Sequence, residues 1–243
     1  MSAQTEIPKA KMATVELLGA VDRGPSLTDQ VYEKLRHGLL MGVWSPGEKL
    51  TARKLSRDLG VSLTPAREAI MRLVNEGALD VSEKRTFSTV DLDCEQYREV
   101  MRIRTALEPI AIELATPLFS QEEITRLEAL NEQMKGMISE ERYNDALQID
   151  SEFHLTICDR AEQPLMRSII DTLWLRAGPT RNRLSHSYRK RLIGYENHKR
   201  ILAAIQLRDA AGAAVALKRD LTEGAAVIVS VLGGDKANVE GQQ

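Results

Sequence analysis

The chain has 243 residues, enough for one large domain or two smaller ones, with a hydrophobic fraction of 43% and aromatics at only 4%. Leu, Ala and Ile are plentiful, which favours packed helices. A formal net charge of -2 excludes a global basic field, no apolar run reaches the ~18 residues of a membrane span, and Cys94 and Cys158 read as reduced thiols in a cytoplasmic protein rather than as a disulfide framework.

Residues 1–25 mix polar and apolar side chains, end in Asp22-Arg23-Gly24-Pro25, and read as a flexible tail. Ser26 then caps a helix in which Val31, Leu35, Leu39 and Leu40 recur at helical spacing, stopping near Gly42 before the turn Trp44-Ser45-Pro46-Gly47. Thr51 caps a second helix, Ala52–Leu59, closed by Gly60. Ser62-Leu63-Thr64-Pro65 opens a third that runs through Asn75, with Pro65 in the first turn, where no amide donor is needed. Ala78–Val81 and Thr86–Val90 favour strands and flank the polar Ser82–Arg85, which predicts a two-stranded hairpin.

From Asp93 the strand signals stop. Amphipathic segments are predicted over about 93–115, 120–138, 142–160, 163–184, 189–207 and 209–231, with breaks at Pro117, Pro164, Gly178-Pro179 and Asp209. The expected fold class is mainly α. A winged helix-turn-helix with a small β-hairpin (26–92) precedes an all-α antiparallel helical bundle (93–233), and 234–243 form a disordered tail.

Residues 51–77 carry the first functional signal. Leu55 and Leu59 face inward, Gly60 can take positive φ, and Val61 packs between two crossed helices. The second of these buries Ala66, Ala69, Ile70 and Leu73, and turns Arg67 and Arg72 to other faces. In such a motif the N-terminal end of the second helix enters the major groove of duplex DNA, which selects Thr64 and Arg67. Arg53 and Arg72 are further candidates for backbone or base contact, and Lys84 and Arg85 sit at the wing tip, near the minor groove or phosphates. Residues 26–92 hold ten Lys/Arg against nine Asp/Glu, so the argument rests on placement rather than bulk charge. Any one of these cations, taken alone, reads more readily as a solvated surface charge, and the order of helix, tight turn, Pro-started helix and basic-tipped hairpin carries the argument.

The run Pro46-Gly47-Glu48-Lys49-Leu50, then Leu59-Gly60-Val61-Ser62, then Thr64-Pro65-Ala66-Arg67-Glu68-Ala69-Ile70 and Glu76-Gly77 resembles the winged helix of the GntR family. Two departures stand out: Leu63 replaces the usual Arg of the turn, and Thr86 replaces a Gly before Phe87. The remainder resembles the FCD-type ligand domain of the FadR-like subfamily, through Arg104-Thr105-Ala106-Leu107-Glu108, Asp150-Ser151-Glu152-Phe153-His154 and Asn197-His198. Asp150 and His154 are one helical turn apart, so both can grip one cation from one face. The plain alternative is an i,i+4 hydrogen bond. His198 would join from another helix, and Asp220 stands at the position of the family's final His. Oxygen and imidazole donors together suit Zn, Ni, Mn or Fe.

The resemblance implies a transcription regulator, read as a repressor, that binds a palindromic double-stranded DNA operator as a homodimer and responds to a small-molecule effector. A carboxylate-bearing metabolite is expected. Arg104 would meet its carboxylate, or else form an ion pair with a helix neighbour. Trp174, Arg176 and Asn182 are placed on the helix covering the cavity. Two other readings stay open: a helical domain that only dimerises, and a metalloenzyme with an appended winged helix. The second is weakened because Glu152, the nearest candidate base, points off the Asp150–His154 face.

Overall fold

A computed structural model describes residues 25–82 and 86–240, with side chains to residue 233. The elements in chain order are α1 (Leu27–Leu40), β1 (Lys49–Leu50), α2 (Ala52–Leu59), α3 (Leu63–Asn75), β2 (Leu79–Val81) and β3 (Phe87–Thr89). Then follow α4 (Cys94–Ala115), a 3-10 turn (Thr116–Leu118), α5 (Gln121–Ser139), α6 (Tyr143–Arg160), α7 (Pro164–Arg181), α8 (His186–Arg189), α9 (Ile193–Gln206) and α10 (Ala210–Glu240). The fold is mainly α, as the periodicity predicts. Most of the expected tail at 1–25 lies outside the described residues. At the other end α10 continues to Glu240, past residue 233, where a disordered tail is expected; no Pro follows to stop it.

Local chemistry sets the ends of the short helices. Ser26 and Asp29 form a reciprocal capping box at α1. Thr51 Oγ1 accepts from Lys54 N at 3.2 Å at the start of α2, and Gly60 closes that helix at φ 66°, in the left-handed region. The sequence misses one strand. The sheet is three-stranded in the order β1-β3-β2, all antiparallel, with Leu50 opposite Phe87 and Val81 opposite Phe87 on its other side. β1 is two residues long, too short for alternation to register. Thr89 holds it instead: its amide donates to Glu48 O at 3.0 Å and its hydroxyl to Ser45 O at 2.6 Å.

Two large apolar cores result among the described residues, with a small third cluster of Met134, Ala146, Ile149 and Tyr195. The N-terminal one gathers Val31, Leu35, Leu39, Leu55, Ile70 and Leu73, and is completed by Leu175 from α7. The helical one centres on Ile112, Leu127, Phe153, Ile157, Ile201 and Leu217, with α4 packed against α6, α7 and α10. The contact between α1 and α7 joins the two. Arg36 Nη2 meets Asp171 Oδ1 at 2.6 Å, and Gly178 lies so close to α1 that an added Cβ would stand 3.0 Å from the Leu39 carbonyl carbon. Among the described residues no helix is long and apolar enough to cross a membrane.

Candidate nucleic-acid interface and effector cavity

Burial sorts the two faces of α3. Ala66, Ala69, Ile70 and Leu73 are fully buried, whereas Ser62, Leu63, Thr64 and Arg67 are exposed at its N-terminal end. Arg53 and Arg67 are exposed and make no hydrogen bond or ion pair among the described residues, which leaves their guanidinium groups available to an anionic partner. Arg72 differs from the expectation placed on it. Its Nε donates to Glu76 Oε1 at 3.2 Å, its Nη1 to Asp29 Oδ1 at 3.3 Å, and its guanidinium lies 3.7 Å from the Tyr32 ring centre. It is committed to tying α3 to α1. Lys84 and Arg85 lie outside the described residues.

In the bundle, α6 carries Asp150 and His154, α9 carries His198, and α10 carries Asp220. Their polar atoms converge. His154 Nε2 and His198 Nε2 are 3.2 Å apart, His154 Nε2 is 3.2 Å from Asp220 Oδ2, and His198 Nε2 is 3.5 Å from Asp150 Oδ1. Ligand atoms about 2.1 Å from a tetrahedral ion stand about 3.4 Å from one another, so the contacts that join Asp150, His198 and His154 have the spacing of a cation site, while Asp220 reaches it through His154 and is not within 4.8 Å of all three. Asp150, His154 and His198 alone form a group whose ligand atoms lie within 4.8 Å of one another. Behind the imidazoles sit the orienting groups such sites use. His198 Nδ1 is 3.1 Å from Asn131 Oδ1, and His154 Nδ1 is 3.6 Å from Glu108 Oε2, an electrostatic contact longer than a hydrogen bond.

Without a cation the two imidazoles titrate in opposite directions. Burial lowers both, but the Asp220 and Glu108 carboxylates outweigh it at His154 and raise it to about 9. At His198 burial wins over Asp220 and Asp150, and the ring falls to about 4. One proton on His154 thus does part of the work a cation would do among these carboxylates. Burial also opposes ionisation of Asp150, yet Arg181, with the two histidines beyond it, holds the carboxyl below its usual range.

A cavity of about 150 Å³ opens beside this cluster, lined among others by Tyr97, Arg104, Trp174, Arg181 and Tyr188. Arg104 resolves the alternative left open by the sequence in both directions: it lines the cavity and is also ion-paired along its own helix. Its Nε lies 2.5 Å from Glu108 Oε1, with 3% and 0% of the two side chains exposed. The guanidinium groups of Arg104 and Arg181 both lie over the Trp174 ring, 3.7 and 4.7 Å from its centre. Trp174 Nε1 is buried without a hydrogen-bond partner among the described residues.

Comparison with known proteins then places the chain. The family model "Bacterial regulatory proteins, gntR family" matches residues 27–88, and the FCD domain model matches residues 99–223. The Escherichia coli regulator McbR is 30% identical over 205 residues, 84% of this chain and 93% of that protein. The chain belongs to the GntR family. The solved structure of E. coli McbR/YncC superposes with a TM-score of 0.75 over 84% of this chain and 98% of that one. A GntR regulator from Rhodococcus sp. RHA1, at 18% identity, shares the fold with a TM-score of 0.70 over 84% of this chain and 97% of that one. The curated relatives that match are named as transcriptional regulators, not enzymes. GntR regulators bind operator DNA, and FCD domains bind small-molecule effectors.

Within this GntR–FCD chain, two expected effector residues face elsewhere. Arg176 Nη1 donates to Gly77 O at 2.6 Å, and Asn182 Nδ2 donates to Gly42 O, so both dock α7 onto the N-terminal module rather than lining the cavity. The residues the sequence reading missed are Arg181, whose Nη1 donates to Ser151 Oγ at 2.7 Å and whose Nη2 pairs with Asp150, and Arg189, which also lines the cavity.

Proposed function

We propose that this GntR–FCD regulator is a repressor whose operator affinity is set by a small carboxylate-bearing metabolite bound in the bundle, with residues 26–92 as the reading head and 93–233 as the effector and dimerisation domain. Thr64, Arg67 and Arg53 contact the operator, and two copies read a palindrome whose half-sites lie one helical turn apart. Asp150, His154, His198 and Asp220 hold a divalent cation, which supplies a Lewis-acidic grip on the effector carboxylate. Asp150 turns Oδ1 toward His198 while Oδ2 is bound by Arg181, so the same carboxylate can serve the cation and stay oriented.

One observation carries the reading. Trp174 lines the cavity, and the next residue, Leu175, is part of the core of the reading head. A ligand that reorders Trp174 acts on the same turn of α7 that the head is built around. Such a ligand changes DNA affinity only if it binds the two head arrangements unequally, and α7 is the element both arrangements share. The dimerisation-only reading leaves the buried Asp, His and Arg groups without a purpose that offsets the cost of their desolvation.

The test is operator binding by the full chain across a panel of small carboxylates, with added Zn²⁺ and with chelator, alongside thermal melting. The expected result is a cation-dependent rise in melting temperature, and a carboxylate that weakens operator binding only when the cation is present. Operator affinity that ignores every carboxylate, together with a melting temperature that ignores both metal and chelator, refutes the proposal.

A further inference from the structure

Three guanidinium groups line the cavity, and they are not equivalent. Arg104 is matched by Glu108 and Arg181 by Asp150. Arg189, at the end of α8, is not matched by any acid: among the described residues no carboxylate oxygen lies within the 4.0 Å that defines an ion pair. Its hydrogen-bond partners are main-chain carbonyls, and its guanidinium lies 5.4 Å from the Tyr143 ring centre. Nε donates to Leu184 O at 3.1 Å, Nη2 to Arg181 O at 3.1 Å, and Nη1 to Tyr143 O at 3.5 Å. These bonds fix the plane and direction of the fork without neutralising its charge. A guanidinium carries five N–H donors, so two remain uncommitted.

A half-buried, oriented and uncompensated cation is costly unless an anion arrives. Burial, with Arg181 close by, outweighs the opposing pull of Tyr143 and Asp150 and lowers Arg189 to about 10, which leaves it charged at neutral pH. The cavity it faces also exposes Asp150, His154 and Asp220 of the cation cluster. That cluster offers a place for one acidic group, and Arg189 offers a place for another. At about 150 Å³ the space between suits a short chain.

We infer that Arg189 is a second anion anchor of the cavity, and that the effector is a short dicarboxylic acid with one carboxylate at the cation cluster and the other on the Arg189 fork. This inference rests on the reading of the cavity as the effector site. It assigns the specificity for a second acidic group to a residue that the metal cluster and the Arg104–Glu108 pair do not involve.

The test uses matched acids that differ only by exchanging one carboxylate for a methyl group: malonate against propionate, succinate against butyrate, glutarate against valerate. Binding to the full chain with Zn²⁺ is measured by calorimetry for the wild type, Arg189→Gln and Arg189→Lys. The expected result is that at least one diacid binds the wild type about tenfold or more tightly than its partner, the gain of one charge-assisted bidentate contact. Arg189→Gln removes that preference while leaving the monoacid unchanged, and Arg189→Lys retains part of it. Should the Gln variant fail to fold, the wild-type preference and the Lys variant still decide. No diacid preference in the wild type, or a preference that survives Arg189→Gln, overturns the inference. If monoacids and diacids bind alike and both release the operator, Arg189 loses its role while the proposed function stands; if no acid binds and metal changes nothing, both fall.

Discussion

Gly178→Ala is the sharpest probe of the joint between α1 and α7. In an ordinary helix interior this change stabilises by about 0.5–1 kcal/mol, because Ala loses less backbone freedom on folding. At residue 178 the new methyl would stand 3.0 Å from the Leu39 carbonyl carbon and closer still to its oxygen. Carbon contacts settle at about 3.5–4.0 Å, so the two helices must part by several tenths of an ångström or more. Overpacking of this kind costs about 1–3 kcal/mol. Gly136, on α5, has no atom within 4 Å of its added Cβ, so the same exchange there carries the helix gain alone. Urea denaturation of the two variants isolates the clash, because the propensity gain cancels in their difference: Gly178→Ala should be less stable than Gly136→Ala by about 1–3 kcal/mol. Titrating effector and operator on the same variants adds the functional half. Gly178→Ala should bind effector as before yet transmit less of it to the operator. Equal stability of the two variants refutes the tight joint, and unchanged transmission refutes its role.

Three further outcomes follow from the site. Glu108→Ala strands the buried Arg104 charge and should cost about 3–5 kcal/mol in urea denaturation, while the double change Arg104→Met with Glu108→Leu should recover most of it; a single variant as stable as the wild type contradicts the pairing. In chelator, stability should be greatest near pH 6.5. The folded value of His154 is raised to about 9, so its contribution is full below about 6.5 and is lost as pH rises through 9. The folded value of His198 is lowered to about 4, so its contribution is lost as pH falls from about 6.5 toward 4. The profile with His154→Gln should lose the alkaline slope, and saturating Zn²⁺ should remove the alkaline slope but steepen the acid one, because a bound cation keeps unprotonated two rings that the unfolded chain protonates below about 6.5; an alkaline slope that persists in His154→Gln assigns it elsewhere. Arg67→Ala should weaken operator binding by about 1–3 kcal/mol with melting unchanged, whereas Arg72→Ala should lower the melting temperature first; gel shifts and melts that rank the two the other way refute the assignment.

How much of this the sequence disclosed depends on what kind of order each residue obeys. The helix limits and the Asp150–His154 pair are local, written in caps and in one turn of spacing, and they were legible. His198 and Asp220 needed family resemblance, because nothing local brings α9 and α10 to α6. The errors on α7 were errors of rotation. At about 100° per residue, Arg176 lies about 200° around the helix from Trp174, on the opposite side, whereas Arg181 lies about 20° from it. That arithmetic was available and would have selected Arg181 over Arg176 for the cavity. Arg189 had no such signal: it ends the four-residue helix α8, and an Arg whose hydrogen-bond partners are main-chain carbonyls has no sequence complement to search for. Arg72 misled because an exposed Arg on a reading helix looks the same in one dimension whether it faces DNA or folds back over Tyr32.

The seat of Leu175 inside the N-terminal core bears on how such regulators can be taken apart. A fragment ending near residue 92 would lack a side chain that is 1% exposed in the whole protein, and would present an open apolar socket to water. Grafting this head onto another regulator's bundle therefore means carrying the matching surface of α7 with it. Evolutionary exchange of sensors among such proteins would meet the same constraint, with the cut point inside a helix of the sensor rather than at the linker.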